Sequence, residues 1–326
     1  MTKKTKFLFL FFIFIIILIT ISIRYFSENQ EDKEKVSLRL KWLDQAQFAG
    51  FYMANKEGFY QGANIDVSIF PGGPDISPIQ MVSTGADDFG VTGADQIILA
   101  REKGVPVVAL AVIYRESPLV IGSLSEKKIE IPKNLEGKRI GLVYGRDEEM
   151  IYRALLSKTG IDSAKIQEVP VIAGISQLIF DKFDAQVLYE INEAVLLEQE
   201  GYEINLIKPR DYGITFYADT LFATEKTLRE RPELVRNFVQ ASILGWEMAI
   251  LKQDLTIEEV LKINNSLNKN HQKKFLQASI PLIESSQGIG YSEKKVWEEM
   301  QNILLDQNLL SRPIDIEKAF TNEFLK

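Results

Sequence analysis

No cysteine occurs in the 326 residues, and histidine occurs once, as His271. Without thiols there can be no disulfide framework, no thiolate metal site, no cysteine nucleophile and no cysteine to carry a lipid. His271 lies in the polar run Asn264–Lys274 and reads as a solvated surface residue, so a nucleophilic triad or an ordinary transition-metal site lacks its parts. A G-x-x-x-x-G-K-[ST] phosphate loop is also missing. Positive charge is in short supply: 38 Lys+Arg stand against 45 Asp+Glu, a formal net charge of −7. Lys3, Lys4, Lys6 and Arg24 are unopposed within residues 1–24, so the remainder is more acidic still, which argues against nucleic acid as a partner.

What is present begins with Lys3, Lys4 and Lys6, followed by an apolar run unbroken from Phe7 to Leu18 and prolonged to Ile23. Such a segment is a signal peptide or a membrane anchor. Its exit, Ser22-Ile23-Arg24-Tyr25-Phe26, offers no clear pair of small residues to a signal peptidase, which favours an uncleaved anchor. Three lysines before it and one arginine after it put the body of the protein outside. The expectation is an N-terminal hydrophobic helix within residues 1–24 and a polar tether over 25–35. The body is then extracytoplasmic, in the periplasm or at the cell surface, held to the inner or cytoplasmic membrane by residues 7–23.

From Val36 onward, short β-branched runs alternate with amphipathic helical stretches. Val36, Leu38, Leu40 and Trp42 share one face of a strand, and Phe48, Phe51, Tyr52 and Asn55 recur at helical spacing. Further strands are expected at Ile65–Phe70 and Phe89–Val91, with helices at Ser77–Ser83 and Ala94–Glu102, and Val105–Ile113 is a long apolar run ending at Tyr114. A second unit has strands at Arg139–Val143, Ile166–Val169 and Ala185–Leu188, and helices at Asp147–Lys158, Ile175–Phe180 and Asn192–Gln199. Leu221–Thr224 is a last strand before a helical tail, whose helix from Arg231-Pro232-Glu233 carries Val235, Phe238, Val239, Ser242 and Trp246 on one face. This order predicts an α/β fold of two doubly wound lobes with mostly parallel sheets. Lobe 1 takes 36–118 and returns over 219–326, and lobe 2 takes 119–218. Hinge strands near Ser117-Pro118 and Tyr217–Leu221 would join them.

In open parallel sheets, ligands bind beyond the carboxyl ends of the strands. Those junctions supply Trp42 and Gln45, then Gly72 and Gly73, then Thr92, Gly93 and Asp95 in the first unit. In the second they supply Tyr144 and Gly145, then Tyr189, Glu190, Asn192 and Glu193. Helix N-termini at Gly93-Ala94 or Gly145-Arg146 could hold an anionic group. Aromatic rings beside amides and carboxylates suit a flat, polar heterocycle, stacked on Trp42 and one of Tyr52, Tyr144 or Tyr189, with Glu190 or Glu193 and Asn192 reading its edge. Each has a plainer reading: Trp42 can end a core strand, Asp95 and Asn192 can cap helices, and the carboxylate pair Glu190 and Glu193 can bind or cap rather than do acid–base work.

Two blocks near the start, Leu40-Lys41-Trp42 with Gln47-Phe48-Ala49-Gly50-Phe51-Tyr52-Met53-Ala54 and Glu57-Gly58-Phe59-Tyr60, resemble the opening of the NMT1/THI5-like domain. Phe89-Gly90-Val91 and Gly104-Val105-Pro106-Val107-Val108-Ala109 continue the match. Asp184-Ala185, Tyr189, Asn192-Glu193, Asp211-Tyr212-Gly213 and Gly245-Trp246 extend it to about Ala249. The resemblance implies a type II periplasmic-binding-protein-like fold. It implies binding of a pyrimidine precursor of thiamine, or a related heterocycle, for uptake through ABC permease and ATPase subunits, with no cofactor. It also admits a membrane-anchored sensor ectodomain. A further branch of the family, the yeast-type thiamine pyrimidine synthase, uses pyridoxal phosphate and iron. That branch places a lysine and a histidine where this chain has Thr92 and Gln96, and it carries a cysteine-rich motif that this chain lacks.

Overall fold

The structure, a computed structural model, describes residues 33–171 and 174–326. The expected N-terminal hydrophobic helix and most of its tether lie outside them. Among the described residues no helix is long and apolar enough to cross a membrane.

Strand β1 (Glu34–Arg39) forms as the alternation requires: Val36 and Leu38 are buried while their neighbours face outward. It pairs in parallel with β2 (Ile65–Phe70), Val36 opposite Val67 and Leu38 opposite Ile69, and on its other side with β3 (Phe89–Thr92). With β4 (Val107–Val112) and the late strand β10 (Thr220–Thr224), these make a five-stranded sheet of order β2-β1-β3-β10-β4. A second sheet is built from β5 (Leu119–Leu124), β6 (Arg139–Leu142), β7 (Gln167–Pro170), β8 (Ala185–Tyr189) and β9 (Ile204–Ile207), in the order β7-β6-β8-β5-β9. The two orders are the same pattern. In each sheet the strand that enters from the other sheet inserts beside the centre and runs antiparallel to both neighbours: β10 against β3 and β4, β5 against β8 and β9.

The α/β architecture is therefore as expected, but the sheets are mixed rather than mostly parallel, and β5 and β9 were not anticipated as strands. Trp42 is not on the β1 face either. The strand ends at Arg39, and Trp42 lies in the bend that follows, with its carbonyl accepting from Gly72 N at 2.8 Å.

The helical tail packs on the first sheet. Helix Pro232–Leu251 starts with Pro at its first turn, where no N–H is lost, and buries Val235, Phe238, Val239, Ser242 and Trp246. It crosses helix Ala49–Lys56 so closely that a Cβ on Gly245 would meet Gly50 O at 2.2 Å, and one on Gly50 would meet the Trp246 ring at 2.1 Å. The fully buried indole of Trp246 takes edge contacts from Phe51 at 5.9 Å and Tyr114 at 6.2 Å. Near the end of the chain, Ala109 N donates to Ala319 O and Thr321 N to Ala109 O, so residues 319–321 lie along β4.

Candidate functional site

The carboxyl ends of β1, β2, β3 and β6 meet around one cavity of about 190 Å³ between the two sheets. The turn after β2 contributes Gly73 and Pro74, the end of β3 contributes Thr92 and Gly93, and the turn after β6 contributes Gly145, Arg146 and Asp147. Lys41, two residues beyond β1, Ser77, and Gln96, on helix Ala94–Glu102, complete its polar lining. Gly145 has φ +77°, a left-handed turn that lets β6 deliver helix Asp147–Thr159 end-on to the cavity.

Lys41 is the centre of the site. Its Nζ donates to Asp147 Oδ2 at 3.2 Å and to the Tyr189 hydroxyl at 3.3 Å, and it lies 3.5 Å from Asp219 Oδ1. Tyr189 in turn donates to Asp147 Oδ2 at 3.3 Å. One ammonium thus joins the first sheet to both the helix after β6 and the end of β8, and also to the segment returning from the second sheet. Burial opposes its charge, but Asp147, Tyr189, Asp219 and Asp95 together outweigh that and hold its pKa well above the ordinary lysine value. From Asp219 the network continues outward: Gln47 Nε2 donates to Asp219 Oδ2 and Gln45 Nε2 to Gln47 Oε1, each at 2.7 Å.

The carboxyl groups around Lys41 are driven apart. Burial works against the Asp147 carboxylate, yet Lys41 and hydrogen bonds from Glu148, Lys41 and Tyr189 keep it below the usual range. Glu148, buried next to the Asp147 charge and hydrogen-bonded to it, is pushed up to about 9 and carries a proton at neutral pH. Asp95 is raised to about 6 by burial and by Asp147, against the help of Gln96 and Lys41. Asp219 is also raised, by burial above all.

The expected site residues divide into three groups. Thr92, Gly93 and Gly145 line the cavity, and Asp95 stands directly behind it, accepting from Gln96 Nε2 at 2.6 Å. Asp95 does not cap its helix, whose N-cap is Gly93 with no side-chain cap bond. Trp42 and Tyr189 touch residues of the cavity wall, and Gln45 reaches it through Gln47 and Asp219: the Arg146 guanidinium lies 5.3 Å from the Trp42 ring centre, and Arg146 Nη2 donates to Pro74 O at 2.8 Å. The remaining five lie elsewhere. Tyr52 is buried in the core with its hydroxyl on Asp44 at 2.8 Å. Tyr144 is exposed and turns to Glu168 at 3.2 Å. Glu190 pairs with Arg210 at 2.6 Å and Lys208 at 3.0 Å, and Glu193 accepts from Tyr189 N at 3.1 Å, bracing the turn after β8. Asn192 meets His271, which is a correction to the reading of that histidine as a solvated surface residue. The ring is half-buried, its Nε2 2.8 Å from Asn192 Oδ1 and its Nδ1 3.1 Å from Gln199 Oε1. Burial pulls the His271 pKa down.

Lys41, Gln47, Asp147 and Asp219 were not foreseen as site residues, and Arg146 only as part of the helix N-terminus at Gly145-Arg146. Lys41 and Arg146 had a usable signal, since each closely follows a strand. Asp219 had none, because its place depends on where the returning chain enters the first sheet. Among the described residues, no group of three or more His, Cys, Asp or Glu side chains is arranged to hold a metal ion.

Comparison with known proteins bears on the fold and the family. The chain is 28% identical over 313 residues to "Riboflavin-binding protein RibY" of Chloroflexus aurantiacus, covering 91% of this chain and 87% of that one. It is 27% identical over 305 residues to "Formylaminopyrimidine-binding protein" of Halalkalibacterium halodurans, covering 91% and 92%. An enzyme is also similar: "4-amino-5-hydroxymethyl-2-methylpyrimidine phosphate synthase" of Legionella pneumophila, 22% identical, covering 90% and 93%. Among solved structures, the periplasmic aliphatic sulphonate binding protein SsuA of Escherichia coli superposes with a TM-score of 0.72 at 15% identity, covering 88% of this chain and 91% of that one, which shows a shared periplasmic-binding-protein fold. The NMT1/THI5 like family model matches residues 45–254, a span that runs from Gln45 through Asp219 and takes in most of the site: the chain belongs to the NMT1/THI5-like family.

Proposed function

We propose that the protein is an extracytoplasmic solute-binding protein that closes two lobes on a single-ring, hydroxymethylpyrimidine-type heterocycle and presents it to ABC permease and ATPase subunits for uptake. The observation that carries this reading is the cavity of about 190 Å³ at the facing strand ends of the two sheets. Its volume favours one ring over three: sites for drug-sized ligands run to about 300–1,000 Å³, so a flavin would need the lobes further apart. Thr92, Gln96 and Asp147 offer fixed donors and acceptors to the ring edge. Beyond that edge, Trp42 and Tyr189 supply aromatic faces next to the cavity.

Thermal-shift screening tests the reading directly. A single-ring aminopyrimidine at about 100 times its Kd adds about 2.7 kcal/mol, which raises Tm by about 5–10 °C for a chain of this size. Riboflavin is expected to give a smaller shift. No shift with any pyrimidine or flavin would refute the proposal.

Pyridoxal phosphate, used by the synthase branch, does not fit these residues as a Schiff base. Thr92 has no amine, and the one lysine in the cavity wall, Lys41, is an ammonium engaged by Asp147, Tyr189 and Asp219. A neutral amine is what such a linkage requires. Incubation with pyridoxal phosphate and ferrous iron is expected to leave His271 intact by mass spectrometry and to yield no pyrimidine product.

A further inference from the structure

Two helices aim their N-termini at the cavity, an arrangement that ordinarily welcomes a phosphate. Here both carry carboxyl groups of the chain itself in their opening turns. At the first, Asp95 lies in the opening turn of helix Ala94–Glu102, Ala94 N donates to Tyr217 O at 3.3 Å and Gln96 N to Gly93 O at 3.1 Å. At the second, Asp147, Glu148 and Glu149 fill the opening turn of helix Asp147–Thr159, and Gly145 N, just before it, donates to Glu149 Oε2 at 2.9 Å. Of the two cations, Lys41 is committed to groups of the chain itself. The three N–H groups of Lys41 have three partners in Asp147, Asp219 and Tyr189. Arg146 is laid over Trp42 and tied to Pro74 O. Against Lys41 and Arg146 stand Asp147, Asp219 and Asp95, all within or directly behind the wall.

We propose that this cavity discriminates by charge, accepting the free hydroxymethyl form of its aminopyrimidine and rejecting the phosphate monoester, with Asp147 and Glu149 as the residues that set the preference. The inference rests on the ligand class proposed above and adds a specificity to it. A phosphate monoester brings about −1.5 to −2 charges at neutral pH. It would have to displace Glu149 from Gly145 N or compete with Asp147 for Lys41. Placing like charges together in a desolvated site costs several kcal/mol, so the ester is expected to bind at least about a hundredfold more weakly than the alcohol.

Isothermal titration of the full chain with 4-amino-5-hydroxymethyl-2-methylpyrimidine, its phosphate ester and inorganic phosphate tests this. The expected result is binding of the alcohol, an ester at least about a hundredfold weaker, and no binding of inorganic phosphate at millimolar concentration. Asp147→Asn, which removes one of the two carboxylates in contact with Lys41, and Glu149→Ala, which removes the acceptor of Gly145 N from the partly exposed side of the turn, should each bring the ester to within about tenfold of the alcohol. The second variant leaves the Lys41 network whole, so a folding defect in the first does not remove the test. An ester that binds the wild-type chain as well as or better than the alcohol overturns this inference and leaves the pyrimidine reading standing. Binding of none of the three probes overturns both.

Discussion

Replacing Lys41 with Met keeps the aliphatic stem and removes the charge that Asp147, Asp219 and Asp95 are arranged around. The Lys41 and Asp219 side chains are 14% and 2% exposed, and Asp147 is 20% exposed, so the carboxylates left behind are poorly solvated. Removing one partner of a buried pair costs about 3–5 kcal/mol, mostly as the penalty of the stranded charge. The partial exposure of Asp147 argues for the lower end, about 3 kcal/mol, or a fall in Tm of about 6–12 °C. The stranded groups can escape by taking protons. Asp95 already has a pKa near 6 and Asp219 is raised, so the deficit of the variant should shrink as pH falls from 7 to 5. Urea denaturation of wild type and Lys41→Met at both pH values, with the slope m checked for equality, measures this. A loss below about 1 kcal/mol, the level of an exposed ion pair, or a loss that does not change with pH, would refute the placement of Lys41 as the buried hub.

Asp95→Asn should stabilise the protein at pH 7 by up to about 3 kcal/mol and do nothing near pH 4. A carboxyl raised to about 6 in the fold binds its proton more tightly than in the unfolded chain, so wild-type stability falls as pH rises from about 4 to 6, and a fluorescence-monitored pH series would show the two curves diverging over that window. Gly245→Ala forces a methyl to within 2.2 Å of Gly50 O and should cost about 3 kcal/mol, whereas Gly62→Ala, with nothing within 4 Å, should be nearly silent by calorimetry.

Much of the fold could be read because it rests on local patterns. The β1 alternation, the Ile65–Phe70 strand and the five-residue face of helix Pro232–Leu251 each express a period that one element imposes on its own side chains. Pairing direction does not. β10 was visible as a strand, but its antiparallel entry between β3 and β4 is decided by where the chain comes from, and β5 and β9 were missed because Leu119–Leu124 and Ile204–Ile207 are short runs among turn residues with no alternation to mark them. The site was legible to the same extent. Strand-end reasoning located Thr92, Gly93 and Gly145, since the ends of β3 and β6 are fixed by local sequence. It favoured the rings of Tyr52 and Tyr144 and the carboxylates of Glu190 and Glu193, whose partners, Asp44, Glu168, Arg210 and the Tyr189 amide, are known only once the chain is folded. The place of Lys41 just after a strand is visible in the sequence, but its role as a hub is not, because Asp147, Tyr189 and Asp219 converge on it from distant positions.

Because β10 fills the gap between β3 and β4, the first sheet has an open slot at its middle until residues 113–219 have been made and folded. Each half of the protein is thus a lock whose central pin is delivered by the other. Folding of the first half during synthesis is expected to stall with β3 and β4 apart and their inner edges unpaired, a state prone to wrong pairing. Cutting the chain between Val112 and Leu119 should therefore leave an N-terminal fragment that stays soluble only when the C-terminal fragment is supplied with it.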